Sequence, residues 1–275
     1  MLATLVIFAR ESLEASLIVA IIFGYLKQSA APGPLYHQVW WGIGTALLTD
    51  SVLGVGIWIT IHAYSGTILQ TELEGAMYIV AAVFLTGMSF WMKRESPALK
   101  HHLQGAMEHS VDRKGWALAI LAGTTVGREG LETVVFALAL SFHTTPLSML
   151  AGALLGLILG VYLSYGVYRL GGSISLKKFF EVFGTLLLIF AAALISDGIE
   201  NFQQIHWIPG AHLILWHSGV ILPESSVLGD ILHTFLGYAE SPTFLQMLAY
   251  AIFLVITVPW YLRSRLPSPS KIARK

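Results

Sequence analysis

The chain has 275 residues and a mass of 30.0 kDa; 55% of its residues are hydrophobic, 12% are charged, and the mean hydropathy is +0.70. Soluble domains carry about 25% charged residues, so these figures exclude a surface covered by water alone and point to one covered by lipid; they also disfavour disorder, coiled coil and nucleic-acid binding. The formal net charge is zero and there is no cysteine, which removes disulfides, thiolate metal sites and iron–sulfur clusters. A helical span needs about 20 mostly apolar residues. Seven segments qualify, at roughly 2–26, 38–63, 73–92, 116–142, 147–168, 179–199 and 244–262. The first lacks the basic start of a signal peptide and carries charges in its middle, so it reads as a retained helix. Asp50 sits within the second, and Glu72 and Glu74 stand at the opening of the third. Gly152, Gly156 and Gly160 recur every four residues in the fifth, the pattern of close helix packing. Asp197 and Glu200 are i, i+3 neighbours near the end of the sixth. Residues 201–243 are too long for a tight turn and partly apolar, which predicts short helices capping or re-entering a mouth. Trp40, Trp41, Trp91, Trp116 and Trp260 read as interfacial anchors.

The basic residues set the orientation. Lys27 lies in the first connection; Lys93, Arg94, Lys100, Arg113 and Lys114 in the third; Arg169, Lys177 and Lys178 in the fifth; Arg263, Arg265, Lys271, Arg274 and Lys275 in the tail. The second, fourth and sixth connections hold none. The positive-inside rule then puts the N-terminus outside and the C-terminus in the cytoplasm, an alternation that seven spans satisfy and six or eight do not. The expected architecture is an all-α integral membrane protein of the plasma (inner) membrane. Its transmembrane region covers 1–263, with a basic cytoplasmic tail at 264–275. Glu72, Glu74, Glu200, Glu224, Asp230 and Glu240, with His62, His143, His206, His212, His217 and His233, fall on the outer side. They read either as a solvated surface or as a cation-collecting vestibule. His101, His102 and His109 fall in a cytoplasmic loop, where a plain polar role is expected.

Two spans share a motif. The first reads Arg10-Glu11-Ser12-Leu13-Glu14 and the fourth Arg128-Glu129-Gly130-Leu131-Glu132. The copies stand three spans apart, and three is odd, so the chain reads as two inverted three-helix repeats (about 1–93 and 116–200), an outer loop at 201–243 and a seventh helix at 244–262. Inverted repeats with a site near the midplane are a recurring transporter architecture. On a helix the i, i+3 glutamates and the i, i+4 Arg–Glu pair share one face. A charge at the bilayer centre costs roughly 2.5–3.5 kcal/mol on insertion scales, so these groups face the interior, pair, or line a wet path. Buried ion pairs seldom outdo hydrophobic packing, which favours a cation site over mere packing. Four Glu against two Arg leave a net −2, suited to a hard multivalent cation that takes oxygen ligands; this chemistry alone does not name the metal. Asp50 has three roles open to it: extending the path, carrying a proton, or pairing with Arg10 or Arg128.

With its duplicated Arg-Glu-x-Leu-Glu helices, the chain resembles the high-affinity iron permease family, the oxidase-dependent iron transporters. Further matches are Glu74-Gly75, the run Phe84-Leu85-Thr86-Gly87-Met88-Ser89-Phe90-Trp91-Met92, and Leu236-Gly237-Tyr238 followed by Ser241-Pro242. The resemblance covers nearly the whole chain. It implies that Glu11, Glu14, Glu129 and Glu132 bind iron in passage, tuned by Arg10 and Arg128. It also implies an outer acidic receiving site, for which Glu72, Glu74, Asp197 and Glu200 are candidates. Iron is then a transported substrate and no permanent cofactor is expected. The partners implied are iron ions, membrane lipid, a ferroxidase or extracytoplasmic iron-delivery protein, and a second copy in a homo-oligomer. The alternatives are a permease for lead or manganese and a proton-conducting membrane protein. A di-iron carboxylate enzyme is disfavoured, because no Glu-x-x-His pair occurs in the chain.

Overall fold

A computed structural model describes residues 1–29, 33–64, 66–95, 116–142, 144–169 and 176–263. His101, His102, His109, His143 and the basic tail lie outside the described residues. The described residues form eight helices: α1 (Leu2–Gln28), α2 (Gly33–Ala63), α3 (Ile68–Glu95), α4 (Ala117–Ser141), α5 (Pro146–Arg169), α6 (Leu176–Gln204), α7 (Val227–Leu236) and α8 (Phe244–Arg263). They contain no strand, only one antiparallel bridge between Ile214 and Thr243. Five helices, α2, α3, α5, α6 and α8, are long and apolar enough to cross a membrane. The other long helices, α1 and α4, have 27 and 25 residues and carry the charged motif. Much of α2 and α5 is exposed and apolar, as at Leu48, Val52, Ile158 and Val161, the surface that lipid covers rather than water.

The chain divides into two compact units. The first comprises Met1–Ile57 with Ser96–Ser175. In it α1 packs along α5 and against α4. The α5 glycines make the first contact possible: a Cβ at Gly156 would stand 2.5 Å from the Leu5 carbonyl oxygen, and one at Gly160 would fall on Ser12 Oγ. Contacts advance together along both chains, so α1 and α5 are parallel. The α4 glycines serve α2 in the same way. Gly123 meets Gly42, Gly127 meets Ala46, Gly130 meets Asp50, and Val134 meets Gly54, so α2 and α4 are also parallel. A core of Ile18, Ile22, Leu26, Val39, Ile43, Leu118, Ala122 and Val126 fills one end. It joins the C-terminal half of α1 to the N-terminal half of α4, so those two helices run in opposite directions.

The second unit comprises Trp58–Glu95 with Leu176–Lys275. Here α6 packs on α3 and α8. Both pairs are antiparallel, as the contacts of Gly75 with Phe202 and of Gly184 with Tyr261 show. Helix α3 is longer than its apolar run, and this corrects the placement of Lys93 in a connection. Lys93 lies within α3, 4% exposed. Its Nζ donates to the Tyr261 carbonyl at 2.5 Å, lies 4.5 Å from the Tyr261 ring centroid and 3.7 Å from Glu181 Oε1. Residues 205–243 are irregular apart from α7. Ser226 caps α7 by accepting from Gly229 N, and Gly237 ends it with φ 66°. Gly237 N donates to His233 O and Tyr238 N to Leu232 O, the left-handed helix stop that glycine permits. Thr243 and Gln246 then form a capping box that starts α8.

Candidate metal centre

Helices α1 and α4 bring the two copies of the motif together within the first unit. In α1 the Arg10 guanidinium holds Glu11 Oε1 at 2.5 Å and Glu14 Oε1 at 3.0 Å. In α4 the Arg128 Nε holds Glu132 Oε1, also at 3.0 Å. The four glutamates and Arg10 are all buried, at 5% exposed or less. The Arg128 side chain differs, being 42% exposed. Glu11, Glu14 and Glu129 each offer an oxygen, and these oxygens all lie within 4.8 Å of one another. The Oε2 atoms of all four glutamates are buried and accept no hydrogen bond. Mutual repulsion would drive such carboxylates apart. Arg10 offsets it, since all four act on its guanidinium. Clustered carboxylate oxygens with unused lone pairs are the donor set that a hard cation takes.

The third position of each motif copy sets the helix crossing. In α1 it is Ser12, whose hydroxyl donates to the Gly156 carbonyl of α5 at 3.4 Å. In α4 it is Gly130, and a Cβ there would fall on Asp50 Oδ2. Asp50 is 5% exposed and its Oδ2 accepts no hydrogen bond. At 100° per residue, the face of α4 carrying Gly123, Gly127 and Gly130 is turned away from Glu129 and Glu132. Asp50 therefore stands behind the motif helix rather than among the three clustered carboxylates.

The second unit gathers other acids. Glu74, Asp197 and Glu200 all act on the buried Tyr78. Glu74 Oε1 accepts from Gln70 at 2.6 Å, and Glu200 Oε2 from Gln246 of α8 at 2.9 Å. Glu72, two residues before Glu74, points from a different face of α3. His233, one of the histidines expected on the outer side, joins this group. Its Nδ1 lies 2.7 Å from the Tyr238 carbonyl. Burial opposes its charge, but Asp197, the Tyr238 carbonyl, Glu224 and Glu200 outweigh that and hold its pKa above the ordinary imidazole value. Its signal in the sequence is faint: it sits one turn before the Gly237 helix stop, which turns the Tyr238 carbonyl back onto the ring. Glu224 and Glu240 pair through their backbones, each carboxylate accepting from the other's N–H.

A model of the iron permease FTR1 family matches residues 1–261. The ferrous iron permease EfeU of Yersinia pestis is 33% identical over 280 residues, covering 99% of this chain and 98% of that protein. EfeU of Yersinia pseudotuberculosis is 33% identical over 274 residues, with 97% and 94% covered. EfeU of an Escherichia coli strain, O6:K15:H31, is 32% identical over 261 residues, with 93% of each chain covered. No solved structure matches the chain. The duplicated motif, the buried carboxylates it assembles and these full-length similarities agree, and the chain belongs to the iron permease FTR1 family.

Proposed function

We propose that this protein is a permease that imports iron ions across the plasma membrane, with Glu11, Glu14, Glu129 and Glu132 as the oxygen ligands of the ion in passage. One observation carries this reading: two copies of one motif, on helices of opposite direction, bring oxygens from three glutamates within 4.8 Å of one another. Carboxylates suit transport because the ion can be handed between them without a fixed cage. Arg10 is the permanent counter-charge that lets them share a site. Glu74, Asp197 and Glu200 act as the receiving site on the outer side, while Asp50 supports α4 from behind. Any oxidation of iron falls to a partner protein, not to this chain.

The membrane arrangement that goes with this reading is seven spans, N-terminus outside, built from two inverted repeats and α8. Helix packing supports it. Exchanging α1 with α4 and α2 with α5 maps the parallel α1–α5 pair onto the parallel α4–α2 pair, as an inverted duplication requires. The charges of α1 and α4 are buried or paired, so lipid need not solvate them.

The test is radiolabelled iron uptake into proteoliposomes, under reducing and oxidising conditions. Glu14→Gln and Glu132→Gln are each expected to lower uptake by at least about tenfold, since even outer-shell changes at metal sites cost 10–100-fold. Excess manganese and lead are expected to compete poorly. Preferential carriage of either would change the substrate, and full uptake by both variants would overturn the site.

A further inference from the structure

The two motif copies are identical in their charged residues but not in their setting, and the difference bears on how the site lets go of its ion. Arg10 is 3% exposed and grips two glutamates of its own helix. Arg128 pairs with Glu132 at 3.0 Å, and 42% of its side chain is open. Glu132 stands outside the trio of clustered oxygens, and its second oxygen is buried and accepts no hydrogen bond. Behind α4, the backbone is locked against α2 by Gly123, Gly127 and Gly130, where a Cβ would meet Gly42, Ala46 or Asp50. The backbone at residues 128–132 therefore has little freedom to shift, whereas the long Arg128 side chain is partly open. On a membrane-embedded helix, a half-open guanidinium belongs on a water-accessible or protein-lined side rather than in lipid.

Resting on the permease reading, we infer that the Arg128 guanidinium is a tethered, exchangeable cation: it neutralises Glu132 when no iron is bound, swings out as iron arrives, and returns to expel it. Arg10 is the fixed counter-charge. With Arg128 out, four carboxylates face one guanidinium, and the three negative charges left over hold a divalent or trivalent ion firmly. With Arg128 back, it competes with the ion for Glu132 and the ion leaves. One iron–carboxylate contact at Glu132 forms as one ion pair opens, and the reverse on release; no oxidation state changes, and the exchange is of one cation for another.

The test measures ferrous-ion binding to detergent-solubilised protein under anaerobic conditions by calorimetry, and uptake in proteoliposomes. Arg128→Gln removes the competitor, so binding is expected to tighten by about fivefold, the upper scale of a partly exposed ion pair, while uptake slows. Arg128→Lys keeps a swinging cation and is expected to stay near wild type in both. Arg10→Gln is expected to weaken binding. If Arg128→Gln weakens binding as Arg10→Gln does, while both melt like wild type, the exchange model is overturned. A second variant guards against loss of folding. The chain has no cysteine, so Arg128→Cys can be labelled alone. An aminoethyl thiosulfonate, which restores a positive charge, is expected to recover uptake, and a sulfonatoethyl reagent is not. Failure of Arg128→Cys to react with either, in folded protein, also overturns the inference. Absence of ferrous-ion binding by the wild type would overturn the iron site itself, and the exchange with it.

Discussion

Gly130 occupies the third position of the α4 motif because a side chain there has nowhere to go. Its missing Cβ leaves the space that the Asp50 carboxylate fills. The equivalent Ser12 in α1 faces the glycine-lined α5, where its hydroxyl finds a carbonyl. Gly130→Ala is expected to lower stability by about 1–3 kcal/mol, the usual cost of overpacking a tight contact. Thermal unfolding in detergent checks this, and adding Asp50→Ala is expected to recover most of the loss by freeing the space. No recovery in the double variant would show that Asp50 is not what Gly130 accommodates. His233 gives a pH signature. Its folded-state pKa is raised, so its contribution is fully present below the unfolded value of about 6.5 and disappears as pH rises through the folded value. His233→Gln is therefore expected to lower the melting temperature most at acid pH and little in alkaline buffer. A pH-independent difference would argue that the imidazolium contacts are immaterial.

Helix existence was legible from hydropathy; which side of each helix packs was not. In lipid both faces of a span are apolar, so apolar periodicity says little about contact. Small residues carry that information instead, as Gly152, Gly156 and Gly160 do for the α1–α5 crossing. Gly156→Leu is expected to push α1 and α5 apart, because its Cβ alone would lie 2.5 Å from the Leu5 carbonyl oxygen and 2.8 Å from Phe8 Cβ. Since α1 carries Glu11 and Glu14, the variant is expected to lose iron binding and stability together. Gly166→Leu, on the same helix with open space at its Cβ position, is the control expected to change little. The duplicated motif was legible for a related reason: charges are too costly inside a membrane to be scattered. What escaped the sequence depended on distant partners. Lys93 reads as a loop charge from its own segment, because Tyr261 and Glu181, which hold it within α3, stand far along the chain. Asp50 was legible as an unusual acid, but its place behind α4 was not. His233 joined the acidic group only through the fold of residues 205–243.

At the scale of the whole molecule, the distribution of basic residues bears on which way the chain faces. The 43 residues from 201 to 243 contain no Lys or Arg, whereas the sequence from 264 to 275 contains four. Basic residues are retained on the cytoplasmic side because moving them outward opposes the membrane potential and the insertion machinery's bias. On the proposed arrangement the α7 region lies outside and the C-terminus inside. The absence of native cysteine makes this directly measurable. Ser225 is exposed just before α7, so Ser225→Cys is expected to react with a membrane-impermeant maleimide in intact cells. Lys271→Cys is expected to react only after permeabilisation. The reverse pattern would place the Asp197–His233 group on the cytoplasmic side and turn the proposed receiving site into an exit. Labelling of both in intact cells would break the odd number of spans on which the inverted repeat depends.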